Sequence, residues 1–282
     1  MRFAKNLLII ILALITIHCS AGTVDTIVIH SNAMHKDFKC VVIKPNSYKK
    51  KKEHYAVVYL LHGYQGWYSN WIIRAPELSN YADQYNVIIV CPDGGYSSWY
   101  FDSPIDTTMK YETYVGTEVP EYIDAHYRTI NDRTGRAITG LSMGGHGALF
   151  LAFRHSSTFG ACGSISGGVD LYASKNRFDI SKRIGDTLNY ADNWKNYSII
   201  SLIEHYPKDS LAITIDCGVS DELFADANKK LHAKMVQLKI PHDYAERPGK
   251  HAWPYWKNSI QYHLLFFRNY FNAQKWAQGL GK

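Results

Sequence analysis

Ser142 lies between two glycines in the run Gly140-Leu141-Ser142-Met143-Gly144, the pattern G-x-S-x-G. A serine hydroxyl attacks carbonyl carbon only when a neighbouring base takes its proton, so the chemistry in question is nucleophilic acyl transfer. The flanking residues say how the serine would be presented. Ala137, Ile138 and Thr139 suit a short buried strand, and Gly147 to Ala152 suit a helix, so the chain must turn within a few residues. Gly140 and Gly144 sit where a Cβ would clash as strand and helix close on each other. On such an elbow the Oγ stands above the strand ends and the Met143 N–H points at a developing oxyanion, with the helix N-terminus adding positive potential. The pattern by itself arises by chance; its position between strand and helix signals gives it weight.

The partners should follow in the order acid, then histidine, on loops at the carboxyl ends of later strands. Asp221 comes after the strand-like run Leu211 to Cys217, through Gly218, Val219 and Ser220, and falls on such a loop. Asp216 competes with it, but lies inside the strand and would be a buried structural carboxylate. Position favours Asp221. For the base, His251 occupies RPGKHAWPYW, a loop between the last strand and the last helix. His232 and His263 fall in helical segments and His242 opens a strand, so each reads as a surface or core histidine. His146, four residues past the serine, should point one helical turn away from it. A second oxyanion donor is expected from LLHGYQGW, with the Tyr64 amide as candidate; His62 there reads as a brace for the loop.

Positioning these groups requires a layered scaffold. Strand-like runs at 26–30, 38–44, 55–61, 87–90, 137–139, 161–166, 211–217 and 242–246 alternate, after the first few, with helical patterns at 75–84, 111–126, 145–154, 222–238 and 253–270. Continuous apolar strands such as YAVVYLL belong in a sheet covered on both sides. The expectation is α/β: a doubly wound, mostly parallel sheet with helices on both faces. One domain over 22–282 is expected, interrupted by an irregular insertion at about 167–207 that is a candidate lid.

The chain has 282 residues, 46% hydrophobic and 20% charged, the balance of a globular protein. Arg2 and Lys5 precede an apolar run, Leu7 to Ile17, too short to span a bilayer comfortably. It reads as a secretory signal cut after Ala21, which implies a secreted or periplasmic protein with no integral span; acylation of Cys19 is the alternative. Loss of Arg2 and Lys5, with no acidic residue beside them, lowers the formal charge from +6 to +4. That mild basicity is not a nucleic-acid footprint, and Lys49 to Lys52 read as a solvated turn. Cys40, Cys91, Cys162 and Cys217 lie in apolar segments without metal-ligand spacing and read as buried thiols. Nothing calls for a metal or cofactor, and the oligomeric state is not encoded in these patterns.

The set YLLHGYQGW, CPDGGYSSWYFDSP, VPEYIDAHYRT, GLSMGGHGAL, GSISGG, CGVSD and PGKHAWPYW resembles the esterase D superfamily, and within it the secreted microbial feruloyl and acetyl xylan esterases of carbohydrate esterase family one. The resemblance spans about Phe38 to Phe271. It implies the α/β-hydrolase fold, Ser142 as nucleophile, Asp221 as acid, His251 as base, and Met143 with Tyr64 as oxyanion donors. Gly249, Lys250 and Ala252 depart from the family's usual surroundings of the histidine, and the insertion is long; both bear on the substrate. Trp67, Tyr96, Trp99, Tyr100, Trp194 and Trp253 fall on loops near the strand ends, and of these Trp67, Trp99, Tyr100 and Trp253 are the candidates for holding a sugar or phenolic acyl group. The expected substrate is a feruloyl or acetyl ester on plant xylan. The rival readings are a mycolyltransferase-type acyltransferase, a general short-chain acyl esterase, and a non-catalytic carbohydrate-binding module.

Overall fold

Strands β1 (Thr23–Ser31), β2 (Lys36–Lys44), β3 (Val57–Leu61), β4 (Ile88–Pro92), β5 (Arg136–Gly140), β6 (Ala161–Ile165), β7 (Ala212–Gly218) and β8 (Asp243–Arg247) form one sheet. Their order across it is β1-β2-β4-β3-β5-β6-β7-β8. These bounds come from a computed structural model that describes residues 22–50, 52–206 and 211–277. The proposed signal segment and Cys19 lie outside the described residues. β1 and β2 run antiparallel to their neighbours, and every pairing from β4 to β8 is parallel.

Alternation along β3 explains the two layers. Val57, Tyr59 and Leu61 join a core with the helices Met143–Arg154 and Ala225–Gln237, while Val58 and Leu60 join a second core with the helices Leu78–Tyr85 and Trp253–Ala277. Both faces of the central strands are therefore dry, which is why these strands are apolar throughout. The arrangement is the α/β-hydrolase fold, in which the parallel strands all deliver their carboxyl ends to one rim.

Three elements differ from the sequence expectation, each for a local reason. The helix expected at 75–84 starts only at Leu78 and runs to Tyr85, with a separate short helix, Asn70–Arg74, before it, because Pro76 excludes Ala75 from helical geometry. The helix expected over 111–126 passes through a π-helical turn at Tyr114–Glu118 just before Pro120, whose missing N–H cannot sustain regular pairing. The irregular insertion carries short helices, Ile180–Ile184, Ala191–Tyr197 and Ile199–Leu202, too brief for a periodic signal. It is packed down: Leu171, Ile180, Ile184, Trp194, Ile199 and Ile203 are all buried, so lifting it as a lid would expose a core. The four described cysteines are buried and free. Among the described residues no helix is long and apolar enough to cross a membrane.

Candidate active site

β5 ends at Gly140 and the helix Met143–Arg154 begins three residues later, so Leu141 and Ser142 make the whole turn. Ser142 has φ 56° and ψ −119°, a backbone conformation that costs an L-residue about 1–3 kcal/mol and persists only where the surroundings enforce it. Here they do. A Cβ on Gly144 would lie 2.5 Å from the His62 carbonyl oxygen, and one on Gly140 would lie 2.6 Å from the Gly144 oxygen. The turn is held by backbone bonds: the Ser142 N–H donates to Ile165 at 2.9 Å and its carbonyl accepts from His146 at 3.0 Å.

The structure brings Ser142, His251 and Asp221 together. His251 Nδ1 lies 2.8 Å from Asp221 Oδ2, and His251 Nε2 lies 3.0 Å from Ser142 Oγ. A carboxylate only accepts, so Nδ1 carries the ring hydrogen and Nε2 is left to accept the serine proton. The imidazole is wedged edge-on between Phe224 and Trp256. The loops of acid and histidine are joined by Ser220 N–H donating to Gly249 and Val219 N–H donating to Arg247, each at 2.9 Å. Burial acts to raise the Asp221 carboxyl, but the hydrogen bond and charge of His251, with the N–H groups of Phe224 and Leu223, hold it below the usual carboxylate range.

Met143 follows Ser142 as the first residue of its helix, and Tyr64 lines the cleft with Ser142. Ser142 and His251 open into a cleft of about 520 Å³ walled by Tyr64, Trp67, Phe178, Leu223, Trp253 and Trp256.

Residues 31–267 match the family described as Esterase. The chain belongs to the Esterase family. An acetyl esterase of Caldicellulosiruptor saccharolyticus is 27% identical over 82% of this chain and 92% of that protein. A ferulic acid esterase of known structure is 30% identical with a TM-score of 0.75, covering 89% of this chain and 100% of that one. The diacylglycerol acyltransferase/mycolyltransferase Ag85A of Mycobacterium gordonae is 28% identical over 72% of this chain and 70% of that protein. Family membership makes the chain a carboxylic ester hydrolase, in agreement with the resemblance its motifs carry.

Within this esterase not every loop aromatic reaches the cleft. Trp67, 48% exposed, and Trp253 line it, and the exposed Tyr96 packs against Tyr64 of its wall. Trp99 and Tyr100 do not, and the expectation that they hold substrate is corrected. Trp99 is buried, donating Nε1–H to the Phe178 carbonyl at 2.9 Å; Tyr100 is buried, donating its hydroxyl to the His62 carbonyl at 2.9 Å. Both have positive φ, which turns their side chains inward from a loop that reads as surface. Trp194 is likewise buried, bonded to the Gly185 carbonyl. Phe178, Leu223, Arg74 and Trp256 line the cleft without any sequence signal to mark them, since each is an ordinary residue brought there by tertiary packing.

The other histidines weighed as bases make structural contacts, as does His62. His62 donates Nδ1–H to Gly63 and accepts the Gly94 N–H at 2.8 Å, tying two loops under the cleft. His263 meets Thr139 at 2.8 Å, and His232 meets His242 at 2.8 Å beside a hollow of about 550 Å³ near β8, remote from the serine. His146 is fully buried against Trp99, Phe101 and Phe150, with Nε2–H donating to the Tyr197 carbonyl. Burial pushes its imidazole down to about 3, against the opposing pull of that carbonyl. The unfolded chain takes up this proton from about pH 6.5 downward and the native state does not until about pH 3, so stability is full above 6.5 and falls as pH drops across that window. His146→Gln keeps a donor for Tyr197 without the titration. Its unfolding free energy should vary less between pH 6 and pH 4 than the wild type's, by up to about 1.4 kcal/mol per pH unit in urea titrations.

Proposed function

We propose that this protein is a serine esterase working through an acyl-enzyme, and that it removes feruloyl or acetyl groups from xylan outside the cytoplasm. The observation that carries the mechanism is the unbroken hydrogen-bonded series from Asp221 through His251 to Ser142, at 2.8 and 3.0 Å, opening into the cleft. In this reading His251 takes the Ser142 proton as Oγ adds to the ester carbonyl, and Asp221 steadies the imidazolium that forms. The Met143 and Tyr64 N–H groups receive the oxyanion. The imidazolium then protonates the departing alcohol, and water, activated by the same imidazole, cleaves the acyl-enzyme.

The substrate proposal is supported by the aromatic walls of the cleft, which suit a phenolic acyl group or a sugar ring, and by relatives that include an acetyl esterase and a ferulic acid esterase. The apolar run after Arg2 and Lys5 supports export. The 28% identical mycolyltransferase supports a second reading, acyl transfer to a sugar hydroxyl. Methyl ferulate, acetylated xylan and 4-nitrophenyl acetate, each assayed with and without an acceptor sugar, separate these. Release of ferulate or acetate from the natural esters supports the first reading. Cleavage confined to the small synthetic ester overturns it, and transesterification outrunning hydrolysis favours the second.

Trp67→Ala should raise KM for methyl ferulate about threefold to tenfold, the value of one aromatic face, and leave 4-nitrophenyl acetate within about twofold. Steady-state kinetics on the two esters check this, and equal changes in both would mean Trp67 does not meet the acyl group.

A further inference from the structure

Arg74 borders the cleft that contains Ser142. Four arginines elsewhere are matched internally, Arg136 with Asp124, Arg154 with Glu112, Arg183 with the Ser97 carbonyl, and Arg247 with Asp216, while Arg177 lies over the Phe178 ring. Arg74 is exposed and has no hydrogen-bond or ion-pair partner among the described residues. The acid next along the chain, Glu77, is held by Lys257 at 3.2 Å. Neighbouring polar groups of the rim are satisfied within the protein, Gln65 by the Tyr96 hydroxyl and the Trp67 indole by Ser69.

The backbone that carries Arg74 is fixed. Arg74 closes the helix Asn70–Arg74, whose Trp71 is buried, donates Nε1–H to the Leu61 carbonyl at 2.9 Å, and meets Trp253 edge-on at 5.3 Å. The Ala75 N–H, donating to the Trp71 carbonyl at 2.7 Å, seals the end of that turn. A guanidinium thus stands at the mouth of an ester-binding cleft, rooted on a rigid element, with its fork of donors uncommitted. That fork matches the two oxygens of a carboxylate.

We propose that Arg74 is a specificity residue that selects esters bearing a carboxylate, by pairing with it while the ester carbonyl lies at Ser142. The inference rests on the hydrolytic reading of Ser142. Since the guanidinium is exposed, the expected preference is on the order of fivefold and falls with salt.

Two matched pairs place the carboxylate on either side of the scissile bond: 4-nitrophenyl hydrogen adipate against 4-nitrophenyl hexanoate, and 3-carboxyphenyl acetate against phenyl acetate. Wild type, Arg74→Gln and Arg74→Lys are compared, with Ser142→Ala as the blank. In one pair the ratio of kcat/KM, anionic over neutral, should fall about fivefold in Arg74→Gln and be partly kept in Arg74→Lys. In wild type it should drop as NaCl is raised to about 0.5 M. Neutral-ester rates should change much less than anionic-ester rates, and the thermal unfolding midpoint should not move. A ratio unchanged by Arg74→Gln in both pairs, or neutral rates falling equally, overturns the proposal. Absence of any Ser142-dependent turnover in wild type overturns the hydrolytic reading and this inference with it.

Discussion

Ser142→Ala is expected to lower kcat for 4-nitrophenyl acetate by about 10⁴-fold or more, with KM little changed. The reason lies in what the hydroxyl does and does not touch. Its Oγ is bonded to His251 Nε2 at 3.0 Å and caps no N–H of the helix it precedes. The elbow is held by backbone bonds to Ile165 and from His146, which alanine retains, and by glycine contacts that it does not alter. Circular dichroism and the unfolding midpoint should therefore match the wild type while turnover disappears. What remains would be the contribution of binding and of the two backbone donors, which survive loss of the nucleophile. Wild-type turnover in the variant would remove Ser142 from the chemistry altogether.

The serine and its elbow are local in sequence, and that is why they could be read. The strand, the turn and the helix occupy one short stretch, and Gly140 and Gly144 mark the close approach directly. The acid and base were legible for a different reason: parallel strands place every βα loop at the same rim, so Asp221 and His251 needed only to follow β7 and β8. The walls of the cleft obey no such rule. Phe178 arrives from the insertion in a left-handed backbone conformation, and Trp99, from a loop that looked equally exposed, is turned inward to bond that same residue's carbonyl. Which aromatic faces water and which faces the core is decided by φ at two or three positions and by long-range packing, neither of which leaves a periodic trace. Arg74 shows the same limit: as a sequence feature it is one basic residue before Ala-Pro, and its meaning comes from the cleft beside it.

Asp221→Asn and Asp216→Asn should separate two buried carboxylates only five residues apart. Asp221 is 3% exposed, and its Oδ1 accepts the Leu223 and Phe224 N–H groups while Oδ2 accepts from His251. An asparagine can keep the first two bonds with its carbonyl oxygen, which leaves its NH₂ facing Nδ1. The imidazole must then accept at Nδ1 and carry its hydrogen on Nε2, where it can no longer take the serine proton. A fall in kcat of about 10⁴-fold is expected, with folding intact. Asp216 is 1% exposed and bonded to Arg247 at 2.7 Å and to Ser259 at 2.6 Å, well inside β7. Neutralising it leaves Arg247 short of its counter-charge, so about 2–3 kcal/mol of stability should be lost while kcat stays within about threefold. Burial opposes ionisation of Asp216, but His263, Ser259 and Arg247 hold its carboxyl below the usual range. The native state thus holds on to the charge as the unfolded chain gives it up, and the stability this confers is complete above about pH 4 and lost as pH falls further. The Asp216→Asn variant should lack that acid-side loss. If instead Asp216→Asn abolished turnover and Asp221→Asn did not, the acid would sit in the strand and not on the loop, and the tautomer argument for His251 would fail.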